Sequence, residues 1–407
     1  MEQLYFTLAK DFFVGLFREK KEDAFAKLIE SLLNQVLLAE SDEEIGAARY
    51  ERSEERQDSR NGFRERGMNL RIGKLTLQVP RHRNEPFKTS MFDDYQRSEQ
   101  ALMETMIEMV VQGVATRNVQ KITEELCGTK FSKSTVSELC KKLDVPLSAF
   151  RNRLLSLRYP FLFVDAIYFK VREEGRAISK AFMVAVGVNE EGHKEILGFG
   201  AYENESEETW RNFLESLKTR GLHGVDIITS DAHTGLRNAI QKSFPSVPWQ
   251  RCQFHFKRNI LDKAKQKDKH ALSIKLRDLF DSTTIEEARK LRDEIIEEYA
   301  EVAAEAMRIL DEGFEDSMAV LSLPKIYRVY TRTSNVLERE NRELRKRQSI
   351  IGVFPNVESL LRLMGAVLMD DHNSWQSCNR ACAMDEYYLR YEETKRKLEK
   401  LFTRLVA

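Results

Sequence analysis

Four consecutive apolar residues, Phe161-Leu162-Phe163-Val164, run straight into Asp165. Such a run lacks the alternation of a strand with one wet face, and it predicts a strand buried on both faces within an α/β sheet. A second strand is expected at Val225-Asp226-Ile227-Ile228-Thr229, closed by Asp231. Open α/β sheets collect ligands outside the carboxyl ends of their strands, so two aspartates in these places can point into one small volume. Crowded carboxylates resist ionising together unless a cation neutralises them. Mg2+ suits that task, being a hard cation that takes one or two carboxylates together with substrate phosphates. Two such ions can stabilise the attacking and leaving oxygens of an in-line displacement at phosphorus. Asp231 could instead cap the helix that follows it. A cap is less natural for Asp165, because Ala166-Ile167-Tyr168-Phe169-Lys170 continues the extended pattern, and a buried ionisable group is costly without a partner.

Around these strands the pattern is α/β. Further strands are expected at Ala181–Val188 and Ile196–Tyr202, separated by a turn at Asn189–Gly192. Ser206 caps a predicted helix over Ser206–Leu217 ahead of Glu207 and Glu208; another helix begins near His233, and Trp249–Phe256 reads as a short strand with Trp249 in the core. From about Asn259 to Ser322 the pattern is helical throughout. Its longest stretch sets Leu291, Ile295, Tyr299, Val302, Ala306 and Ile309 at spacings of three and four, and Pro324 ends it. A polar, Arg-rich helix over Asn335–Gln348 and a C-terminal helix over Tyr387–Leu405 complete the chain.

A third acidic ligand has to come from elsewhere, and three glutamates on the Asn335–Gln348 helix compete for the place. Glu338 also fits a capping box with Asn335 as the cap. Glu340 and Glu343 face other directions, and spacing alone does not choose among the three.

The first 150 residues have a different character. Residues 2–38 carry a helical pattern (Val14, Phe17, Phe25, Leu28, Leu32, Val36) broken by a charged turn at Glu19–Asp23, with an acidic patch at Ser41–Glu44. The formal net charge is zero, yet residues 59–83 concentrate seven basic side chains, Arg60, Arg64, Arg66, Arg71, Lys74, Arg81 and Arg83, against Glu65 alone. That local asymmetry is the footprint of a phosphate-binding stripe, although a solvated ribbon would look the same. Leu75-Thr76-Leu77-Gln78-Val79 alternates as a strand ended by Pro80, with Arg-rich loops to either side. Helices follow on Met103, Met106, Ile107 and Val110, then on Val119, Ile122 and Leu126, stopped at Cys127-Gly128-Thr129. A third helix, on Val136, Leu139 and Leu143, takes Ser132 as its cap. The last two helices are compatible with a helix-turn-helix, with Lys133, Ser134, Thr135 and Ser137 on the exposed start of the second.

The chain has 407 residues, 42% of them apolar, which is enough for two or three domains. Its five cysteines, Cys127, Cys140, Cys252, Cys378 and Cys382, follow no disulfide-framework spacing, as expected of reduced thiols in the cytoplasm. No apolar run approaches the ~20 residues that span a bilayer, and the N-terminus is not of secretory type. The expected location is therefore cytoplasmic, at the nucleoid when bound to DNA, with no membrane partner.

Taken together, several segments resemble the Mutator-type transposases of bacterial insertion sequences. They are Arg60-Asn61-Gly62-Phe63-Arg64, Val79-Pro80-Arg81 before Phe87, Tyr95-Gln96-Arg97-Ser98 and Val111-Gln112-Gly113-Val114-Ala115-Thr116-Arg117. Further along come Val164–Arg172, Ser230-Asp231-Ala232-His233, Trp249–His255, Thr333–Asn341 and Ser374-Trp375. Their order and joint presence carry the match over nearly the whole chain. The resemblance implies an α/β RNase H-like catalytic core with a large all-helical insertion, preceded by a mainly helical N-terminal DNA-binding region. It implies a DDE triad of Asp165, Asp231 and Glu338, with Glu338 selected as the glutamate three residues after Asn335. It also accounts for the 107-residue gap between Asp231 and Glu338 as a helical insertion. Glu340 stands where such proteins usually carry an apolar residue, so a local register error would move the assignment there. Cys252 and His255 form the Cys-x-x-His element typical of the family. A structural zinc site would want four ligands, and no second Cys/His pair lies nearby in sequence. His255 is read as an active-site or DNA-contacting residue.

The organisation expected is 1–58, helical and a candidate for dimerisation; 59–94, a basic strand and loop segment; and 95–150, helix-turn-helix-like. The core is expected over 155–258, the insertion over 259–330, and the final core helices over 331–407. The expected activity is Mg2+-dependent cleavage and strand transfer of DNA, with Mn2+ able to substitute. The released 3′-hydroxyl would attack another DNA phosphate without a covalent protein intermediate. Terminal inverted repeats would be held by the basic segment together with Lys133 and Ser134, while Arg339, Arg342, Arg345, Lys346 and Arg347 would clamp phosphates beside the triad. Pairing two DNA ends makes a homodimer the expected assembly. The alternatives are a DNA-binding derivative that has lost strand transfer, against which the presence of all three acids weighs, and a non-transposing nuclease of the same fold, which would cut without joining.

Overall fold

The computed structural model of the protein describes residues 21–47, 51, 56–70, 73–89, 91, 100–127, 131–378 and 380–406. The helical pattern expected before residue 21, Arg71, Tyr95–Ser98 and the helix stop at Gly128-Thr129 lie outside them, and the charged turn expected at Glu19–Asp23 is helical from Lys21 onward. The chain divides into two compact units, 1–141 and 142–407.

In the first unit α1 (Lys21–Ile45) packs on a two-stranded antiparallel sheet of β1 (Arg60–Leu70) and β2 (Gly73–His82). The expected strand around Leu75–Val79 is β2. The stretch before it, read as an Arg-rich loop, is β1 instead. Few of its residues are apolar, so its strand character comes from pairing with β2 rather than from its own alternation. Met68, Leu75, Leu77 and Val79 share one face with Leu37 of α1 and with Phe87. Two amides of β2 are taken by α1 side chains: Thr76 N–H donates to Glu30 Oε2 (3.0 Å) and Gln78 N–H to Asn34 Oδ1 (2.8 Å). Three further helices follow, α2 (Gln100–Val111), α3 (Thr116–Cys127) and α4 (Lys133–Cys140). They bury Leu102, Met103, Met106, Val119, Phe131 and Val136 together. Ser132 caps α4 as expected, its hydroxyl accepting from Thr135 N–H (3.0 Å).

The second unit opens with α5 (Asp144–Asn152). Its core is a five-stranded mixed sheet of β3 (Phe161–Glu173), β4 (Arg176–Val188), β5 (Lys194–Tyr202), β6 (Ile227–Ser230) and β7 (Trp249–Arg251), in the order β5-β4-β3-β6-β7. β4 runs antiparallel to its neighbours β3 and β5, while β6 and β7 run parallel to β3. Two helices cover one face, α6 (Glu207–Thr219) and α7 (Thr234–Ser243). Trp210, Phe213, Leu214, Leu236 and Ile240 pack there on Leu162, Val164, Met183 and Ile228. Ser206 caps α6, accepting from Thr209 N–H (3.2 Å).

Side chains alternate along a strand, so Phe161, Phe163 and Asp165 face the other way from Leu162 and Val164. On that side lie α12 (Lys325–Thr331), α13 (Asn335–Ile351) and α15 (Tyr387–Val406). Phe161 meets Tyr387 edge-on (5.3 Å between centroids) and packs near Tyr327 (6.0 Å). The helix α14 (Val357–Ser377) lies along β5, and its buried Arg362 forms a bidentate pair with Asp144 of α5 (2.6 and 2.7 Å).

Between β7 and α12 the chain forms α8 (Gln253–Asp262), α9 (Lys269–Phe280), α10 (Ile285–Tyr299) and α11 (Ala304–Ser317), ending in a 3-10 turn at Ala319–Ser322. These helices have their own core of Phe256, Ile260, Leu272, Leu276, Leu279, Ile295, Leu310 and Phe314. Two expectations change here. The periodic run from Leu291 to Ile309 is two helices, broken between Tyr299 and Ala304, and Val302 is left exposed at the break. No proline or glycine marks this turn, and its cause is tertiary: α10 and α11 pack against each other. The expected strand Trp249–Phe256 stops at Arg251, and residues from Gln253 onward are helical. No described helix is long and apolar enough to cross a membrane.

Candidate active site

The parallel register of β3 and β6 sets Phe161 beside Ile227, Leu162 beside Ile228 and Phe163 beside Thr229. Two residues further along each chain come Asp165 and Asp231, at the carboxyl edge of β6. Each takes the amide that follows it: Ala166 N–H donates to Asp165 Oδ1 (2.8 Å) and Ala232 N–H to Asp231 Oδ1 (2.7 Å). Burial pushes the Asp165 carboxyl up to about 6; the Ala166 amide opposes this and the charge of Asp231 adds to it.

The helix α13 approaches from the open face of β3. Asn341 Nδ2 donates to Asp165 Oδ2 (2.7 Å). Glu338, one turn earlier on the same side of the helix, brings Oε1 to 3.3 Å from Nε2 of His255. The other ring nitrogen, Nδ1, is 3.7 Å from Asp231 Oδ2. His255 therefore stands between Asp231 and Glu338, on the first turn of α8 rather than on a strand. Its pKa is pulled up to about 9, first by the neighbouring Cys252 thiol and further by Asp231 and Glu338, against the effect of burial. Among the described residues, the ligand atoms that converge within 4.8 Å of one another are those of Cys252, His255 and Glu338. Glu338 Oε1, His255 Nδ1 and Asn341 Oδ1 are buried without a hydrogen-bond partner.

Local folding frees Glu338 for this position. The residue preceding α13 is Ser334, not Asn335, and its hydroxyl does not cap the helix. It donates to Cys252 Sγ (3.2 Å), as does the Ser334 amide (3.3 Å). The capping box with Asn335 is not formed. The rival glutamates are engaged elsewhere. Glu340 is buried against Asp371 of α14, and Glu343 pairs with Lys346 (2.6 Å). Burial, followed by the hydrogen bond and charge of Asp371, holds Glu340 at about 8, well above the ordinary carboxylate range.

The helical insertion is tied to this site at α8. The side-chain amides of Gln250 and Gln253 both donate to the Ser317 carbonyl (2.7 and 2.9 Å), and Gln253 N–H donates to the Arg332 carbonyl (3.0 Å). Cys252 N–H donates to the Ser230 carbonyl (2.8 Å), which fixes the start of α8 beside Asp231.

The basic residues fall into two groups. On α13, Arg342 and Arg345 follow Glu338 at helical spacings of four and seven, on the same side of the helix. Both are exposed, as are Arg339 and Lys346, while Arg347 is half-buried. In the first unit the hairpin does not gather its bases on one face. Cross-strand partners share a face, so Arg64 and Arg66, opposite Val79 and Leu77, stand on the side that α1 covers. Lys74, opposite Asn69, stands on the other. Arg60 is half-buried, pairing with Asp42 and donating to the Ala47 carbonyl (2.5 Å), which is a structural role. Arg64, Lys74, Arg81 and Arg83 are exposed. Lys133 and Ser134 lie exposed on the first turn of α4, with Ser134 Oγ bonded to Ser132 Oγ (2.7 Å).

Sequence patterns singled out neither Asn341 nor Ser334. Asn341 had a signal, since it lies three residues beyond Glu338 on one helix. Ser334 had none, because its partner Cys252 is 82 positions away.

The family described as "Transposase, Mutator family" matches residues 10–378 of the chain. Over 379 residues the chain is 43% identical to the transposase for insertion sequence element IS256 in transposon Tn4001 of Staphylococcus aureus, covering 92% of this chain and 97% of that protein. It is 40% identical over 364 residues to the transposase for insertion sequence element ISRM5 of Rhizobium meliloti, covering 89% and 92%. Identity to the transposase for insertion sequence element IS1081 of Mycobacterium tuberculosis is 34% over 359 residues, covering 87% and 86%.

Proposed function

Because the chain belongs to the Mutator family of transposases, we propose that it cuts and rejoins DNA at the ends of an insertion sequence, using Asp165, Asp231 and Glu338 as a DDE triad in an RNase H-like core. The sheet order, with three antiparallel strands followed by two parallel ones, supports that reading of the core. The observation that carries the site is the placement of Asp165 on β3 and Asp231 just past the end of the adjacent parallel strand β6, beside the helix that bears Glu338.

The residues fit Mg2+. The three acids offer hard oxygen donors, Glu338 Oε1 is buried with no hydrogen bond of its own, and the mutual repulsion that helps raise Asp165 is of the kind a cation removes. When bound, Mg2+ would supply positive charge at the attacking and leaving oxygens of a displacement at phosphorus. Asn341 and the Ala166 amide hold Asp165 in one orientation. His255 lies between Asp231 and Glu338, where a positive ring offsets their repulsion. Arg342 and Arg345, on the same side of α13 as Glu338, are placed to hold phosphates leading into the site. Arg64, Lys74, Arg81 and Arg83, with Lys133 and Ser134, are the groups we assign to the inverted repeats. Two DNA ends call for two subunits, so the working assembly is a homodimer.

The test is Mg2+-dependent cleavage and joining of DNA carrying the sequences that flank the gene. Asp165→Asn and Glu338→Gln should abolish both activities while DNA binding persists, and Glu340→Gln should leave cleavage measurable. Cleavage by Asp165→Asn at the wild-type rate would refute the triad. Binding by the wild type without cleavage or joining would favour a derivative that has lost strand transfer.

A further inference from the structure

The group of side chains that converges most closely in this region is not the three acids but Cys252, His255 and Glu338. The set combines a thiol, an imidazole and a carboxylate. It takes one residue from the end of β7, one from the first turn of α8 and one from α13, 83 positions further along the chain from His255. Mg2+ has little use for sulfur, whereas Zn2+ is bound by all three donor types, with ligand distances of about 2.3 Å to sulfur and about 2.0–2.2 Å to nitrogen and oxygen. Two ligands at about 2.0 Å from a tetrahedral metal stand about 3.3 Å apart, and His255 Nε2 and Glu338 Oε1 are 3.3 Å apart.

Three further observations favour a metal over plain packing. Cys252 Sγ accepts hydrogen bonds from both the amide and the hydroxyl of Ser334, and Cys252 is the residue at the N-terminal end of the ten-residue helix α8, though its side chain makes no capping bond there. Both features stabilise a thiolate, the form that binds metal. Asp231 Oδ2, 3.7 Å from His255 Nδ1, is placed as the outer carboxylate that commonly orients a metal-bound histidine. Glu338 Oε1 is buried with no hydrogen bond of its own.

We propose that Cys252, His255 and Glu338 form a three-ligand site for Zn2+, completed by water or substrate, and that filling it withdraws Glu338 from the acidic triad. The consequence for activity rests on the triad reading above; the metal site itself does not. Zn2+ then acts as an inhibitor that competes with Mg2+ for a single glutamate.

Co2+ is the probe, because thiolate coordination gives it a near-ultraviolet charge-transfer band. Full-length protein, reduced and free of metal, is titrated with Co2+ in Mg2+ buffer and then with Zn2+. The expected result is a charge-transfer band saturating at one equivalent, bleached by one equivalent of Zn2+ and absent in Cys252→Ser. Glu338→Gln should keep the band with affinity lowered at least about tenfold, since even outer partners of metal ligands cost about 10–100-fold. No thiolate band in the wild type, or the same band in Cys252→Ser, overturns the site. If Cys252→Ser does not fold, Glu338→Gln decides the matter alone: unchanged Co2+ affinity overturns the site. Zn2+ that binds with this signature but leaves Mg2+-dependent cleavage unaffected overturns the inhibitory role. A Co2+ band in a protein that never cleaves DNA would instead count against the activity proposed above and leave the metal site standing.

Discussion

Asn341 donates a 2.7 Å hydrogen bond to Asp165 Oδ2 across 176 positions of sequence, so the orientation of one acid depends on the helix that carries another. Asn341→Ala should lower cleavage by about 10–100-fold, the usual cost of removing an outer partner of a metal ligand. It should also raise the Mg2+ concentration needed for half-maximal rate. Rates measured across a Mg2+ series check this; a lower rate at an unchanged Mg2+ requirement would rule out a positioning role at the metal.

The buried Glu340 and Asp371 pair gives stability a pH dependence. Glu340 titrates at about 8 in the fold against an ordinary 4.5, because burial and then Asp371 disfavour its charge. A carboxyl raised on folding contributes stability that is fully present below 4.5 and is lost as pH rises through about 8. Glu340→Gln keeps a donor toward Asp371 and removes this titration. Its unfolding free energy in urea should match wild type near pH 5 and exceed it above pH 8, by on the order of 2–5 kcal/mol. Stabilities that stay parallel from pH 5 to 8.5 would contradict a raised Glu340 titration.

Arg81 and Arg83 are exposed near the base of the hairpin. If both touch phosphates, the double variant Arg81→Gln/Arg83→Gln should weaken DNA binding at all sequences alike. The slope of log K against log salt should fall by about 0.9 for each phosphate that is no longer neutralised. Fluorescence anisotropy between low and moderate salt measures the slope, and an unaltered slope would remove these residues from the interface.

Gly313 of α11 allows close approach to α8. A Cβ there would lie 2.6 Å from Phe256 Cε2 and 2.2 Å from Arg251 Nη1. Gly313→Ala should destabilise the second unit by about 1–3 kcal/mol, the usual range for overpacking. It should also reduce cleavage, since Phe256 adjoins His255. Wild-type stability in urea would show that α8 and α11 have more room than this close approach implies.

Much of the core was legible because its signals are local. The apolar run at Phe161–Val164, the cap at Ser206 and the cap at Ser132 each depend on a few neighbouring residues, and all three appear as expected. The strand β1 was not, because Arg60–Leu70 owes its conformation to β2 and to α1 beyond it. The break between α10 and α11 escaped for a related reason: Tyr299–Ala304 holds no proline or glycine and three alanines, and packing turns the chain. At the site, the strand-end aspartates were readable one at a time. Spacing alone left three glutamates open on α13, and the fold separates them by neighbour: His255 beside Glu338, Asp371 beside Glu340, Lys346 beside Glu343. The Cys252 partners Ser334 and Glu338 lie more than 80 positions downstream, beyond the reach of any local pattern.

The first turn of α8 belongs to two structures at once. Gln253 is bonded to the far end of the insertion at Ser317, His255 faces the acids, and Phe256 lies in the insertion's own core. Loosening of the insertion therefore travels to the histidine within a single turn of helix, and a load placed on those helices is felt at the acids. The insertion cannot be exchanged between relatives as a free-standing cassette; any graft that leaves this turn behind severs the histidine from the helices that aim it.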